Sequence, residues 1–465
     1  MQSSSNAFSL SPLDGRYHSD VGHLSLYFSE FALSKERVVI ELKYLSALLT
    51  FIEAPQNIDH VITYFEMHFS LEDFSTIKSF EIITKHDVKA VEYFLRDYFN
   101  KNSHAELCNL VHFGLTSEDV NNLAYSLPLQ RYLKQEFIPL LDSLLQKLLA
   151  LTIEYQDAPF PARTHGQLAS PTTAGKEFAV FLSRIHGIYK KIASHQLLGK
   201  LNGATGNYSA LNVANPNLDW ISFSNKFILD LGLAVNEVTT QIESHDSMAE
   251  LFNLIRQLNN VVIDLNQDLW QYISYGLYRE IPKAGEVGSS TMPHKINPIN
   301  FENSEGNLLY ANAILSFFAD KLCRSRMQRD LSDSTVLRNL GVPLAHTQLA
   351  LKQTLLGLNK IKLDPKFCTT TLNGHPELLA EAIQSVLRLN SVTADPYSDL
   401  KQIVRGELSA EETRKKLNNY IDSLPLGVAT KAELKNLLPA SYIGLAPQIC
   451  KNLIQTFTSQ KECKP

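Results

Sequence analysis

The longest regular pattern in the chain is a seam of apolar residues spaced alternately three and four apart: Met248, Leu251, Ile255, Leu258, Val262, Leu265, Leu269 and Tyr272. This spacing predicts one helix over 247–273, roughly 40 Å long at 1.5 Å per residue. Phe252, Leu254, Val261, Ile263 and Trp270 add apolar positions on its other faces, which predicts burial in a bundle core. That length exceeds the ordinary globular helix and implies a long bundle, open to sharing between subunits. Other helical patterns run through Val88, Val91, Phe94, Leu95 and Tyr98, through Val120, Leu123, Ala124 and Leu127, and through Leu140, Leu141, Leu144, Leu145 and Leu148. Two more cover 302–321 and 344–361. "TSED" (Thr116 to Asp119) reads as the capping box of the second of these helices. Strict alternation is scarce, so the expected class is all-α, mainly helical, with 198–208 as a glycine-bearing loop or a short hairpin.

Boundaries fall near Leu110, before the capping-box helix, and near Leu363, where Pro365 follows a long helical run. They predict three domains: an N-terminal helical domain over 1–110, a central long-helix bundle over 111–364, and a C-terminal helical domain over 365–465. The apolar fraction of 44% excludes disorder, and a net charge of −5 gives no basic field for nucleic acid. Five cysteines without a CxxC pair fit reduced cytosolic thiols. The most apolar long stretch, 137–151, is interrupted by Asp142, Gln146 and Lys147 and is too short to span a bilayer. The N-terminus lacks a basic region followed by an apolar core and so does not read as a secretory signal; the expectation is a soluble cytoplasmic protein.

No histidine has a glutamate three residues before it, and there is no His-Glu-x-x-His, so no metal site is expected. "GKLNGATG" matches neither of the common nucleotide loops and reads as a turn needing glycine dihedrals. The start of the Thr116–Ser117 helix offers free N–H groups to an anion, or serves as a simple cap. "RTHGQ" places His165 in a polar loop between two long helices, as a proton donor or acceptor or as a structural histidine. "GSSTMPHKINP" concentrates Gly288, Ser289, Ser290, Lys295 and Asn297 with two prolines, and so resists both helix and strand. It is a linker, or a loop that moves and reacts. Downstream, a helix carrying Arg324, Arg326, Arg329 and Arg338 among Ser332, Ser334 and Thr335 suits an anion with several carboxylates or phosphates.

"GSSTMPHKINP" resembles the signature loop of the fumarase/aspartase superfamily, roughly S-S-x-M-P-x-K-x-N. "SPLDGRY", "HDVKAVEYFL", "HFGLTSEDVNNL", "RTHGQ", "TTQIESHD", "FENSEGN" and "QRDLSDSTVLRNLG" resemble the bacterial-type adenylosuccinate lyase branch. The resemblance runs from Ser11 to about Gly341, with "PASYIG" (439–444) as a further match. It implies a three-domain helical fold whose central bundles assemble into a homotetrameric multi-helix core, with three subunits contributing to each site. It implies β-elimination of fumarate from adenylosuccinate, giving AMP, and from the succinylocarboxamide ribotide of purine synthesis. It also implies no cofactor and no metal.

The resemblance further implies roles. Ser289 is the base and His165 the general acid. Arg16 and Tyr17 fall in the N-terminal phosphate and nucleotide contact, and His86 and Asp87 match the "HD" pair. Thr116 and Ser117 match a carboxylate-binding pair at the helix end, and Gln241 the succinyl contact. Ser290, Lys295, Asn297 and Asn303 match the loop and the helix after it. Arg329, Ser334, Thr335 and Arg338 match the segment that holds carboxylate and phosphate. Lys85 departs from the pattern, since related chains usually carry asparagine there. Two alternatives stand beside this reading. Another fumarate-releasing lyase, such as argininosuccinate lyase or aspartase, is opposed by Arg16, "HDVKAVE" and "STVLRN". A non-catalytic helical scaffold is opposed by Ser289, Lys295 and His165 together.

Overall fold

A computed structural model describes residues 8–281, 292, 294–406 and 408–462. The heptad seam forms the helix Asp246–Ser274, one residue longer at each end than its periodicity predicts. Seven of the eight seam residues are buried, from Met248 to Leu269, and Tyr272 is half-buried. The expected burial of the other faces holds for Phe252, Val261 and Ile263, whereas Leu254 is half-buried and Trp270 is 44% exposed. Its Nε1 donates to Glu302 Oε1 at 3.0 Å. The helices expected over 302–321 and 344–361 run over Ile299–Leu322 and Gly341–Lys360. Among the described residues, no helix is long and apolar enough to cross a membrane.

Asparagines thread the apolar bundle. Asn259 Nδ2 donates to Asn312 Oδ1 at 3.0 Å and Thr347 Oγ1 at 3.2 Å, and Asn312 Nδ2 donates to Asn260 Oδ1 at 2.8 Å. Asn300 Nδ2 donates to Gln353 Oε1 at 2.6 Å. Asn259 and Asn300 are the buried members, and a shift of the helices would leave their amide N–H groups without these partners, which is costly.

The apolar runs around Leu123 and Leu144 are not separate helices. Ser117–Tyr132 continues through a wider π-type turn, Leu133–Phe137, directly into Ile138–Glu154. Pro128 sits inside the first part, where it has no N–H for the carbonyl of Ala124. The helix expected to carry Arg324, Arg326, Arg329 and Arg338 does not form. Residues 324–331 are irregular, and only Ser332–Leu337 is helical. Asp330 explains this: it accepts the backbone N–H of Arg326 at 3.0 Å and of Ser332 at 2.7 Å, a local turn that competes with helix. The 198–208 stretch is not a hairpin either. Leu198–Gly199 pairs in parallel with Ala234–Val235, and Gly203 and Gly206 then turn at φ 85° and 78°.

The described strands are two or three residues long and pair two by two. By contact density the chain divides into two compact units. One contains residues up to 141, 188–260 and 304–352; the other contains 142–187, 261–303 and 353 onward. The first unit holds a core of Val38, Leu42, Leu45, Phe65, Val91 and Phe99, all within the first 111 residues. The second holds a smaller core of Leu379, Ile383, Leu387, Leu400, Leu417 and Ile421.

Candidate active site

In the first unit, two helix N-termini meet. Asp87–Lys101 starts after His86, whose Nδ1 accepts the Lys89 N–H at 3.2 Å. A neutral His86 therefore carries its proton on Nε2, which lies 3.5 Å from Ser117 Oγ. Ser117 opens the second helix, with Thr116 as its N-cap. The end of a helix leaves N–H groups aimed outward, so this junction suits an anion. Lys85, exposed just before His86, holds a left-handed conformation at φ 55°. Asparagine tolerates that region better than lysine, so the position is constrained by its backbone angle.

Asp87 is committed to two guanidinium groups. It accepts from Arg37 Nη2 at 2.8 Å and Arg338 Nη2 at 2.7 Å. Burial alone would raise its carboxyl, but Arg37, the Val88 N–H and Arg338 together hold it below the ordinary carboxylate range. Asp87 thus stays charged and positions Arg338, which also lines a cavity of about 290 Å³ with Tyr27, Glu30 and Tyr125. Sequence reasoning missed Arg37. Its only signal is an arginine at a core-facing position of the helix Glu30–Phe51, where it is 3% exposed.

Arg329 meets Glu118 at 2.6 Å, and Glu118 also accepts from Asn121 at 2.7 Å. Gln241 lies beside this segment, its backbone N–H donating to the carbonyl of Gln328 and its Nε2 to that of Ala204 at 3.1 Å. Ser334 and Thr335 lie in the short helix Ser332–Leu337. Arg16 is exposed, its Cζ 5.9 Å from the Tyr17 ring centroid.

The glycine loop is a structural brace for this site. Asp119, fully buried, accepts the Thr116 N–H at 2.8 Å, the Asn202 N–H at 3.0 Å and the Gly203 N–H at 3.2 Å. Lys200, equally buried, places Nζ 2.9 Å from it. Upstream, His112 Nδ1 lies 2.6 Å from Glu41 Oε1. Burial would lower the His112 pKa, but Glu41 overrides it and the net shift is upward. A raised folded pKa gives stability that is complete below the unfolded value of about 6.5 and is lost as pH rises through the folded value. The stability gap between wild type and His112→Gln is therefore expected to be largest near pH 6 and to narrow toward pH 9. Urea midpoints across that range check it.

In the second unit, His165 is not in a loose loop. Arg163–Thr164 and Gln167–Leu168 pair as a hairpin, and His165 and Gly166 are its two-residue turn, at φ 53° and 76°. Positive φ at both turn residues is what a type I′ hairpin needs. Arg163 braces the turn, donating to the Gly166 carbonyl at 2.9 Å and stacking 4.5 Å from the Tyr275 ring centroid. His165 is thereby held exposed at the hairpin's tip. A Cβ on Gly166 would meet nothing within 4 Å, so the glycine serves the backbone angle alone. Gly166→Ala is expected to add about 1–2 kcal/mol of strain, which urea midpoints would read as lost stability.

Lys295 is exposed, and Asn297 half-buried, ahead of the helix Ile299–Leu322 on which Asn303 lies. Ser289 and Ser290 lie outside the described residues.

Residues 29–312 match the family described as Lyase, and 325–443 match the one described as Adenylosuccinate lyase C-terminal. Two solved structures share the fold: a fumarate lyase from Mesorhizobium sp. BNC1 (TM-score 0.76, 19% identity, 93% of this chain and 97% of that one), and 3-carboxy-cis,cis-muconate lactonizing enzyme from Pseudomonas putida (TM-score 0.73, 20% identity, 94% and 98%). The chain belongs to this lyase family and is an enzyme of it. Adenylosuccinate lyase of Haemophilus influenzae is 42% identical over 451 residues, 96% of this chain and 98% of that protein. That of Escherichia coli K12 is 43% identical over 450 residues, 95% and 98%. Within the lyases, the chain belongs to the adenylosuccinate lyases.

Proposed function

We propose that this chain releases fumarate from adenylosuccinate, giving AMP, and from the succinylaminoimidazole carboxamide ribotide of purine synthesis, giving its carboxamide. The observation that carries the reading is the likeness to adenylosuccinate lyases along nearly the whole chain. The first unit fits it chemically: the Thr116–Ser117 helix end and Gln241 suit the carboxylates, and His86 and Arg338 suit a phosphate. Proton removal next to a carboxylate makes an aci-carboxylate with added negative charge, which preorganised donors must hold. Ser289 takes that proton, with Lys295 and Asn297 on the same loop lowering the cost of a serine base. His165 protonates the departing nitrogen.

The assembly is a homotetramer with sites shared between subunits. The Ile299–Leu322 helix supports this, since it leaves Leu309, Tyr310 and Phe317 each more than half exposed in the single chain. The three-domain division is supported by the separate cores near Leu45 and Ile383. Cysteines without a disulfide framework favour the cytoplasm. A spectrophotometric assay with adenylosuccinate tests the activity; a chain inactive on it but active with fumarate and arginine would overturn the reading. A monomer in light scattering would overturn the assembly.

A further inference from the structure

Behind Gln241 the chain buries a histidine between two acids. His245 is 1% exposed, Glu243 2% and Asp333 3%. Glu243 Oε2 lies 3.8 Å from the ring Nδ1, and Asp333 Oδ2 lies 3.9 Å from Nε2. Among the described residues, neither ring nitrogen nor Asp333 Oδ2 has a hydrogen-bond partner. Each acid is fixed by its own surroundings. Glu243 accepts from Asn236 Nδ2 at 2.7 Å and from the His245 backbone N–H at 2.8 Å. Asp333 accepts the Ser334 N–H at 2.6 Å. His245 itself sits at φ 60°, a conformation few non-glycine residues adopt. The strained backbone thus aims one ring across the gap between two anchored carboxylates.

Arg329 is the cation next to Asp333, and it is already paired with Glu118. The two ring nitrogens each face one of the acids, so His245 is the side chain that stands between Glu243 on one segment and Asp333 on the other. Burial would raise the carboxyl of Asp333, yet His245 and Arg329 hold it below its usual range.

We propose that His245 is a positioning residue whose ring clamps the loop that carries Gln241 to the segment that carries Arg329, Ser334 and Arg338. The inference rests on the reading above, in which those groups hold opposite parts of the succinyl-nucleotide. His245 touches no substrate in this scheme. It sets the distance between the groups that do, so its loss weakens binding more than chemistry.

The test compares wild type, His245→Gln, Asp333→Asn and the double variant, with kinetics on adenylosuccinate and urea midpoints for all four. His245→Gln is expected to raise KM at least about tenfold, with kcat within a few-fold, because an amide side chain cannot face both buried carboxylates at once as the ring does. Adding Asp333→Asn removes one of them, so the double variant is expected to recover most of the lost affinity and stability. Losses that add in the double variant, or a fall confined to kcat, would overturn the clamp. If His245→Gln does not fold, a folded double variant is the rescue, and failure of both overturns it. A wild type inactive on adenylosuccinate would instead sink the functional reading, while the urea midpoints still report the coupling of His245 and Asp333.

Discussion

His165→Ala is expected to lose at least about 10²-fold in turnover while staying folded and assembled. The leaving group is a nitrogen that departs poorly without a proton, so removing its donor strikes the chemical step directly. The fold should not suffer, because the imidazole stands exposed at the tip of the Arg163–Leu168 hairpin and fills no core. KM is expected to move only a few-fold. Circular dichroism and steady-state kinetics together check the claim; near-normal turnover would remove His165 from the mechanism. The same variant probes the assembly. Mixed with Ser289→Ala subunits, then dissociated and reassociated, it should regain some activity if each site draws on several chains. Failure to complement in verified hybrids would count against shared sites.

The largest effect on stability is expected at Asp119. Asp119→Ala would strand the Lys200 ammonium, fully buried, and would free the N–H groups of Thr116, Asn202 and Gly203 at once. Breaking a buried pair from one side costs about 3–5 kcal/mol, because the surviving charge stays uncompensated. Removing both charges together, as Asp119→Ala with Lys200→Met, should cost less than Asp119→Ala alone. Chemical denaturation of the two variants measures the difference. A loss below about 1 kcal/mol for the single change would mean that water reaches the site and replaces the carboxylate.

Much of this was legible in the chain. The Asp246–Ser274 helix could be read to within a residue at each end, because helical periodicity is a local property and the apolar seam repeats it for about seven turns without interruption. The start of the helix at Ser117 was legible for the same reason, since a cap acts within four residues. The turn at His165 was only partly legible. Gly166 signalled a bend, but the paired strands around it needed the tertiary brace from Arg163 on Tyr275. The arginine segment was misread as helix because charge and propensity do not reveal that Asp330 captures the backbone.

Sequence by itself determined the helical class, the long bundle helix and the residue types from which the site is built. Tertiary structure decided which of those residues work together. Arg37, Asp87 and Arg338 form one group although Arg37 is 50 residues and Arg338 is 251 residues from Asp87. The buried ring of His245 likewise lies between Glu243, beside the Gln241 loop, and Asp333, 88 residues further on. The physical reason is range. Helix propensity and capping act over one or two turns of chain, whereas a buried charge takes whichever counter-charge packing brings within a few ångströms, at any separation in sequence.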